Sequence, residues 1–202
     1  MVIGCGEKGV AWVAKNQNHK ETVIGFDTKQ IGKTHEPFII GNVFNLPIKS
    51  GTINKIHGDF IVNGLIDREI AASQIFRNPD VLDTNYFPPL VREWFVKSMN
   101  GSYNLVRNNI KEVSALLRTV ALREMWRILA NNGSLELLDF EYNVEWIKHS
   151  APQIVQENPL FLKLKSEPIT REDFERSASL EKVGKGSTRI QKIKLIKFHH
   201  LI

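Results

Sequence analysis

Short apolar runs, each followed by a turn or a helical-period segment, organise the first part of the chain. Val2 to Cys5 reads as a buried strand, and Val10 to Ala14 continues into a short helix after a run of glycines. Thr22 to Phe26 is a second apolar run closed by Asp27, so residues 1–27 form a strand, glycine turn, helix, strand unit. Strands alternating with helices predict a parallel sheet with right-handed crossovers. Phe38-Ile39-Ile40 is a third strand, and Pro47 stops any helix from running through the loop after it. Ile53 to Val62 is a fourth strand region that Gly58 and Asp59 interrupt.

Residues 63–104 show no period and carry Tyr86-Phe87-Pro88-Pro89 and Trp94, a composition that fits a lid or substrate-recognition insertion. From Val106 the apolar positions Ile110, Val113, Leu117, Val120 and Ala121 recur at spacings of three and four, and Leu122, Met125, Ile128 and Leu129 extend the stripe. A long helix packed on a sheet requires that period. Asn131-Asn132-Gly133 supplies its stop, with Gly133 expected at positive φ. Ser134 to Phe140 is a fifth strand, Val144 to Glu157 a helix, and two short strands flanking Gly184-Lys185-Gly186 a closing antiparallel hairpin.

At 202 residues, one core and one domain over 1–202 are expected. A chain with 42% hydrophobic and 24% charged residues has the balance of a soluble globular protein. It has no apolar stretch of about 18 residues and no signal-peptide pattern, so neither a membrane span nor secretion is expected. Cys5 is the sole cysteine, which excludes an internal disulfide and a cysteine-based zinc site and suits a cytoplasmic location. The six histidines show no ligand spacing, so no metal is expected. A net charge of +5, from 27 Lys and Arg against 22 Asp and Glu, points to solubility before nucleic-acid binding. Homo-oligomers remain open.

Gly4-Cys5-Gly6-Glu7-Lys8-Gly9 places a glycine-rich turn between strand and helix, where backbone can approach a ligand with no Cβ between and the helix start offers unpaired N–H groups. Asp27 follows at the distance from which an acid grips two ribose hydroxyls. The glycine spacing fits an NAD-type dinucleotide fold equally well. The downstream segments separate the two. Val23-Ile24-Gly25-Phe26-Asp27, Gly41-Asn42-Val43-Phe44-Asn45-Leu46-Pro47-Ile48, Ala121 to Leu129 with Gly133, and Leu137-Leu138-Asp139-Phe140 follow in the order of class I S-adenosylmethionine-dependent methyltransferases, and residues 2–140 resemble that family in register.

The resemblance implies an α/β three-layer sandwich with a mostly parallel central sheet and an antiparallel C-terminal hairpin. It implies S-adenosyl-L-methionine as cofactor, with Gly4, Cys5 and Gly6 against its methionine and ribose, Asp27 on the ribose, Asn42 and Val43 at the adenine, and Gly58 and Asp59 facing cofactor and substrate. Arg123, Glu124 and Arg127 would be solvated or interhelical. The chain departs from the family at Val2 and Asn42, which stand where carboxylates are usual, at Lys8, which stands for a glycine, and in beginning at the first strand. A degenerate binding module is therefore an alternative to an enzyme. Methyl transfer depends chiefly on alignment. Where the acceptor must lose a proton, Asp59 or His57 is the candidate base, and Tyr86, Phe87 and Trp94 would shape a pocket for a small-molecule acceptor.

Overall fold

A computed structural model of the chain describes residues 1–4, 6–17, 22–27, 37–41, 43–61, 110–154, 162–177, 180 and 189–198. The lid expected over 63–104 and the glycine turn at 184–186 lie outside them. In chain order the elements are β1 (Val2–Ile3), α1 (Gly6–Lys15), β2 (Gly25–Asp27), β3 (Phe38–Ile40), β4 (Ile53–Asp59), α2 (Ile110–Ile128), β5 (Leu129–Phe140), α3 (Glu141–Ile154), β6 (Leu162–Glu167), α4 (Arg171–Arg176) and β7 (Ile190–Lys197).

The strands form one seven-stranded sheet in the order β3-β2-β1-β4-β5-β7-β6. The first five are parallel to their neighbours, and β7 pairs antiparallel with both β5 and β6. The expected hairpin is therefore real in its pairing but not tight, because α4 stands between its two strands. The strand order also bears on the dinucleotide alternative. A nicotinamide-binding sheet keeps its sixth strand next to the fifth in the order 3-2-1-4-5-6, whereas here the antiparallel β7 separates them.

Alternation along the strands sends successive side chains to opposite faces. Ile3, Phe26, Ile56, Leu135, Leu137, Ile193 and Leu195 point to one face, where they meet Val120, Ala121, Met125 and Ile128 of α2 and Val144, Ile147 and Ala151 of α3 in the main core. Each such fully buried aliphatic or aromatic side chain contributes roughly 1.5–3 kcal/mol. Val2 points the other way and packs with Trp12 and Val13 of α1. The result is three layers, with α2 and α3 on one face and α1 with α4 on the other. No described helix is long and apolar enough to cross a membrane.

Two local readings need correction. Gly58 and Asp59 do not break β4 but end it in register, paired with Leu137 and Leu138. Nor does Gly133 take positive φ; Asn132 does, at φ 61, and β5 begins at Leu129 directly after the helix. Gly133 is required for a different reason, since a Cβ there would lie 2.8 Å from the Ala130 carbonyl oxygen and 2.9 Å from that of Asn54. Backbone oxygens cannot rotate aside, so Gly133→Ala is expected to cost about 1–3 kcal/mol. Urea unfolding of the variant should show the midpoint shifted down with the slope unchanged.

Candidate functional site

The two glycines that open the first turn both use the left-handed region, Gly4 at φ 67 and Gly6 at φ 51. The Gly4 N–H donates to the Phe26 carbonyl (2.8 Å), which ties the end of β1 to the end of β2. The Gly6 N–H donates to Oδ2 of Asp27 at 3.1 Å. Thus the bend and the acid, 21 residues apart, meet as the sequence predicts. Asp27 is 8% exposed, and an ideal Cβ built on Gly6 meets no atom within 4 Å, so open space lies against the backbone there. The bend also sits at the place where the chain switches sides: β2 and β3 extend the sheet one way from β1, and β4 extends it the other. Open α/β sheets bind ligands at such a switch point, beyond the carboxyl ends of the strands.

Other expected cofactor residues have different surroundings. Cys5 and Asn42 lie outside the described residues. Val43 is 2% exposed and belongs to the main core. At Gly58 the space a Cβ would fill is taken by the side-chain ends of Ile61 and Leu137, so close packing explains this glycine. Tyr86, Phe87 and Trp94, expected at the acceptor, are outside the described residues too.

Arg127 and Glu124 are half-buried and, in place of an interhelical role, clamp the loop between β3 and β4. Arg127 donates to the carbonyls of Leu46 (2.8 Å) and Ile48 (2.9 Å), and Glu124 accepts from the Leu46 N–H at 3.0 Å while pairing with Arg127. Leu46 and Phe44 are buried beneath that clamp.

His57 and Asp59 face α1 and α4, inside a buried charge network that the sequence reading missed. Asp59 takes both its bonds from one guanidinium, with Arg176 Nε at 2.9 Å and Nη2 at 3.0 Å. Arg176 also donates to Asp173 at 2.8 Å, and Lys192 reaches the same Asp173 at 3.0 Å. Glu136 lies within 3.1–3.4 Å of Lys194, Lys55 and Lys192. Burial raises the Asp59 carboxyl above its ordinary range, and the bond to Arg176 only partly offsets this. Burial pushes Asp173 the same way, but the Thr170 amide and Lys192 outweigh it and hold the group down to about 2.

The His57 Nδ1 stands 3.4 Å from Glu136, yet the three lysines already claim that carboxylate, and Nδ1 makes no hydrogen bond. Burial, with Arg176 and Lys55 adding repulsion, depresses the imidazole to about 2. Neither group has the geometry of a free base. Below about pH 6.5 an unfolded chain protonates this histidine and the folded one does not, so stability falls with falling pH. Between pH 6.5 and 5 the loss from this group is about 2 kcal/mol. In urea unfolding, His57→Phe should lack that increment; an unchanged pH dependence would contradict the neutral assignment.

No family model matches the chain, and no curated protein matches it. Solved structures do. The 16S rRNA methyltransferase KamB matches with TM-score 0.51 at 9% identity, over 97% of this chain and 86% of its own. The antibiotic-resistance methyltransferase Kmr matches with TM-score 0.48 at 11% identity, over 98% and 87%. The 16S rRNA (adenine(1408)-N(1))-methyltransferase of Catenulisporales acidiphilia gives 0.48 at 10%, over 98% and 86%. At such identities the likeness bears on fold alone. The chain shares the fold of the methyltransferase KamB.

Proposed function

We propose that this chain binds S-adenosyl-L-methionine at the bend between β1 and α1 and transfers its methyl group. One observation carries the reading: the open, positive-φ bend at Gly4 and Gly6 and the Asp27 carboxylate face each other at the sheet's switch point. The residues present fit an adenosyl group. Gly6 leaves room for a nucleoside against bare backbone, and Asp27 supplies an anionic acceptor to a ribose diol. Asn42 and Val43 begin the loop assigned to the adenine, and the Arg127 clamp on Leu46 and Ile48 fixes the course of that loop.

When bound, S-adenosyl-L-methionine would supply an electrophilic methyl group to an acceptor, with Gly4, Gly6 and Asp27 holding its nucleoside. The protein's part is to align and to exclude water. Asp59 is assigned to holding α4 against the sheet through Arg176, and His57 to packing against Trp12 of α1; neither is assigned to moving a proton, since one is held by Arg176 and the other is neutral and walled in. At the acceptor side, Phe60, the residue after β4, has φ 55, an uncommon conformation for a bulky residue that clusters at functional sites. Its ring meets Phe140 edge-on (5.4 Å), and Phe140 stacks on the exposed Tyr142 at 5.8 Å. This aromatic ladder at the carboxyl ends of β4 and β5 offers a flat face to a planar acceptor.

Calorimetric titration with S-adenosylhomocysteine and, separately, with NADH tests the reading. Binding of the first and not the second is expected. Absence of S-adenosylhomocysteine binding at millimolar ligand would overturn it in favour of a degenerate module.

A further inference from the structure

Helix α1 presents Lys8, Trp12 and Lys15 on one stripe, at the three- and four-residue spacings of a single helical face. Across from it α4 presents Arg171, Phe174 and Glu175, and the two faces enclose an open groove of about 520 Å³. A helix of six residues is too short to close over a neighbour of ten. Its position is fixed from below, because Asp173 and Arg176 on its inner face are locked into the buried charge network while Thr170 and Asp173 cap each other at its start. The outer face is left to line the groove.

The lining has a definite chemistry. Three cations face one anion, Glu175, which Arg171 already contacts at 3.2 Å and Lys15 at 3.7 Å. The Lys15 and Arg171 side chains are 74% and 93% exposed. Between these charges stand two aromatic rings: Phe174, 44% exposed, and Trp12, which Arg176 backs at 5.7 Å from within. An exposed aromatic ring between cations is the composition of a single-strand binding surface, in which bases stack on rings and phosphates run along the charges.

We propose that the groove between α1 and α4 binds single-stranded nucleic acid, with a base on Phe174 and backbone phosphates on Lys15 and Arg171. An acidic peptide would satisfy the cations and leave the exposed ring without a partner, whereas a nucleic-acid strand offers an anion and a flat ring in every repeat unit. The groove is distinct from the bend at Gly4 and Gly6, although Lys8 in the first turn of α1 brings it close to that site.

The test is fluorescence anisotropy of the purified chain with a short labelled oligouridine, in a salt series. Binding is expected to weaken with salt at a logarithmic slope of about 1.4, as two phosphate contacts on a single strand give. Phe174→Ala should weaken binding about tenfold, and the paired substitutions K15E and R171E by considerably more. S-adenosylhomocysteine binding, measured in parallel, should be unchanged in both variants, so that failure of the groove and failure of the cofactor site are told apart. Because all three side chains are exposed, folding is not at stake. No binding, binding that neither variant alters, or equal competition by polyglutamate would overturn the proposal.

Discussion

Replacing Asp27 with alanine is expected to lower the affinity for S-adenosylhomocysteine by at least about 100-fold, since hydrogen bonds to a charged group are worth roughly 1.5–3 kcal/mol each and a ribose diol makes two. A second effect adds to the first. The Asp27 carboxylate also accepts the Gly6 N–H, so its removal frees the bend that positions the rest of the ligand. Asp27→Asn keeps an acceptor oxygen for that N–H while losing the charge, and it should fall between the alanine variant and the native chain. Calorimetry on both variants, with circular dichroism to confirm the fold, separates the contributions. Native-like affinity in Asp27→Ala would mean that the nucleoside does not rest on this carboxylate.

The largest effect on stability is expected at Arg176. Its guanidinium is 2% exposed and bridges Asp59 and Asp173, whose side chains are 9% and 1% exposed. Arg176→Met fills similar volume but strips Asp59 of both hydrogen bonds and leaves a buried carboxylate alone, whereas Asp173 keeps Lys192. Breaking one side of a buried pair costs about 3–5 kcal/mol, which lowers the melting temperature of a chain this size by about 10 °C. The pH response identifies the cause. Asp59 already sits above its ordinary range, and without Arg176 it rises further. A carboxylate raised in the fold costs stability while ionised and stops costing it as pH falls through the folded value. The variant should therefore recover part of its loss on mild acidification, and Asp59→Asn in the same background should recover it at neutral pH. A loss insensitive to both would place the damage in packing against Trp12 instead.

These two sites differ in how far the sequence exposes them. The bend and its acid were legible because each lies at the end of a short apolar run, and the strand-helix-strand period fixes which ends come together. The first three strands and the long helix were legible on the same ground. The charge network was not. Lys192 and Lys194 alternate with Ile193 and Leu195 along β7, and such alternation reads as a strand with one face in water. Only the pairing of β7 with β5 turns that polar face toward Glu136 and under α4. Helix α4 itself has no apolar stripe, with five of its six residues charged. Its one signal was Thr170 followed three residues later by an acid, the spacing of a capping box. Arg176 and Asp59 stand 117 positions apart, and neither propensity nor period links them. At Gly58 the sequence does not reveal what the fold places there, the side-chain ends of Ile61 and Leu137 in the space a Cβ would fill.

The most direct measurement of the central claim is the electron density of crystals soaked with S-adenosylhomocysteine. The account predicts the ribose hydroxyls within hydrogen-bond distance of the Asp27 carboxylate and the nucleoside against the backbone at Gly4 and Gly6. Density for the ligand elsewhere on the chain, or a native bend with no ligand at saturating concentration, would contradict it.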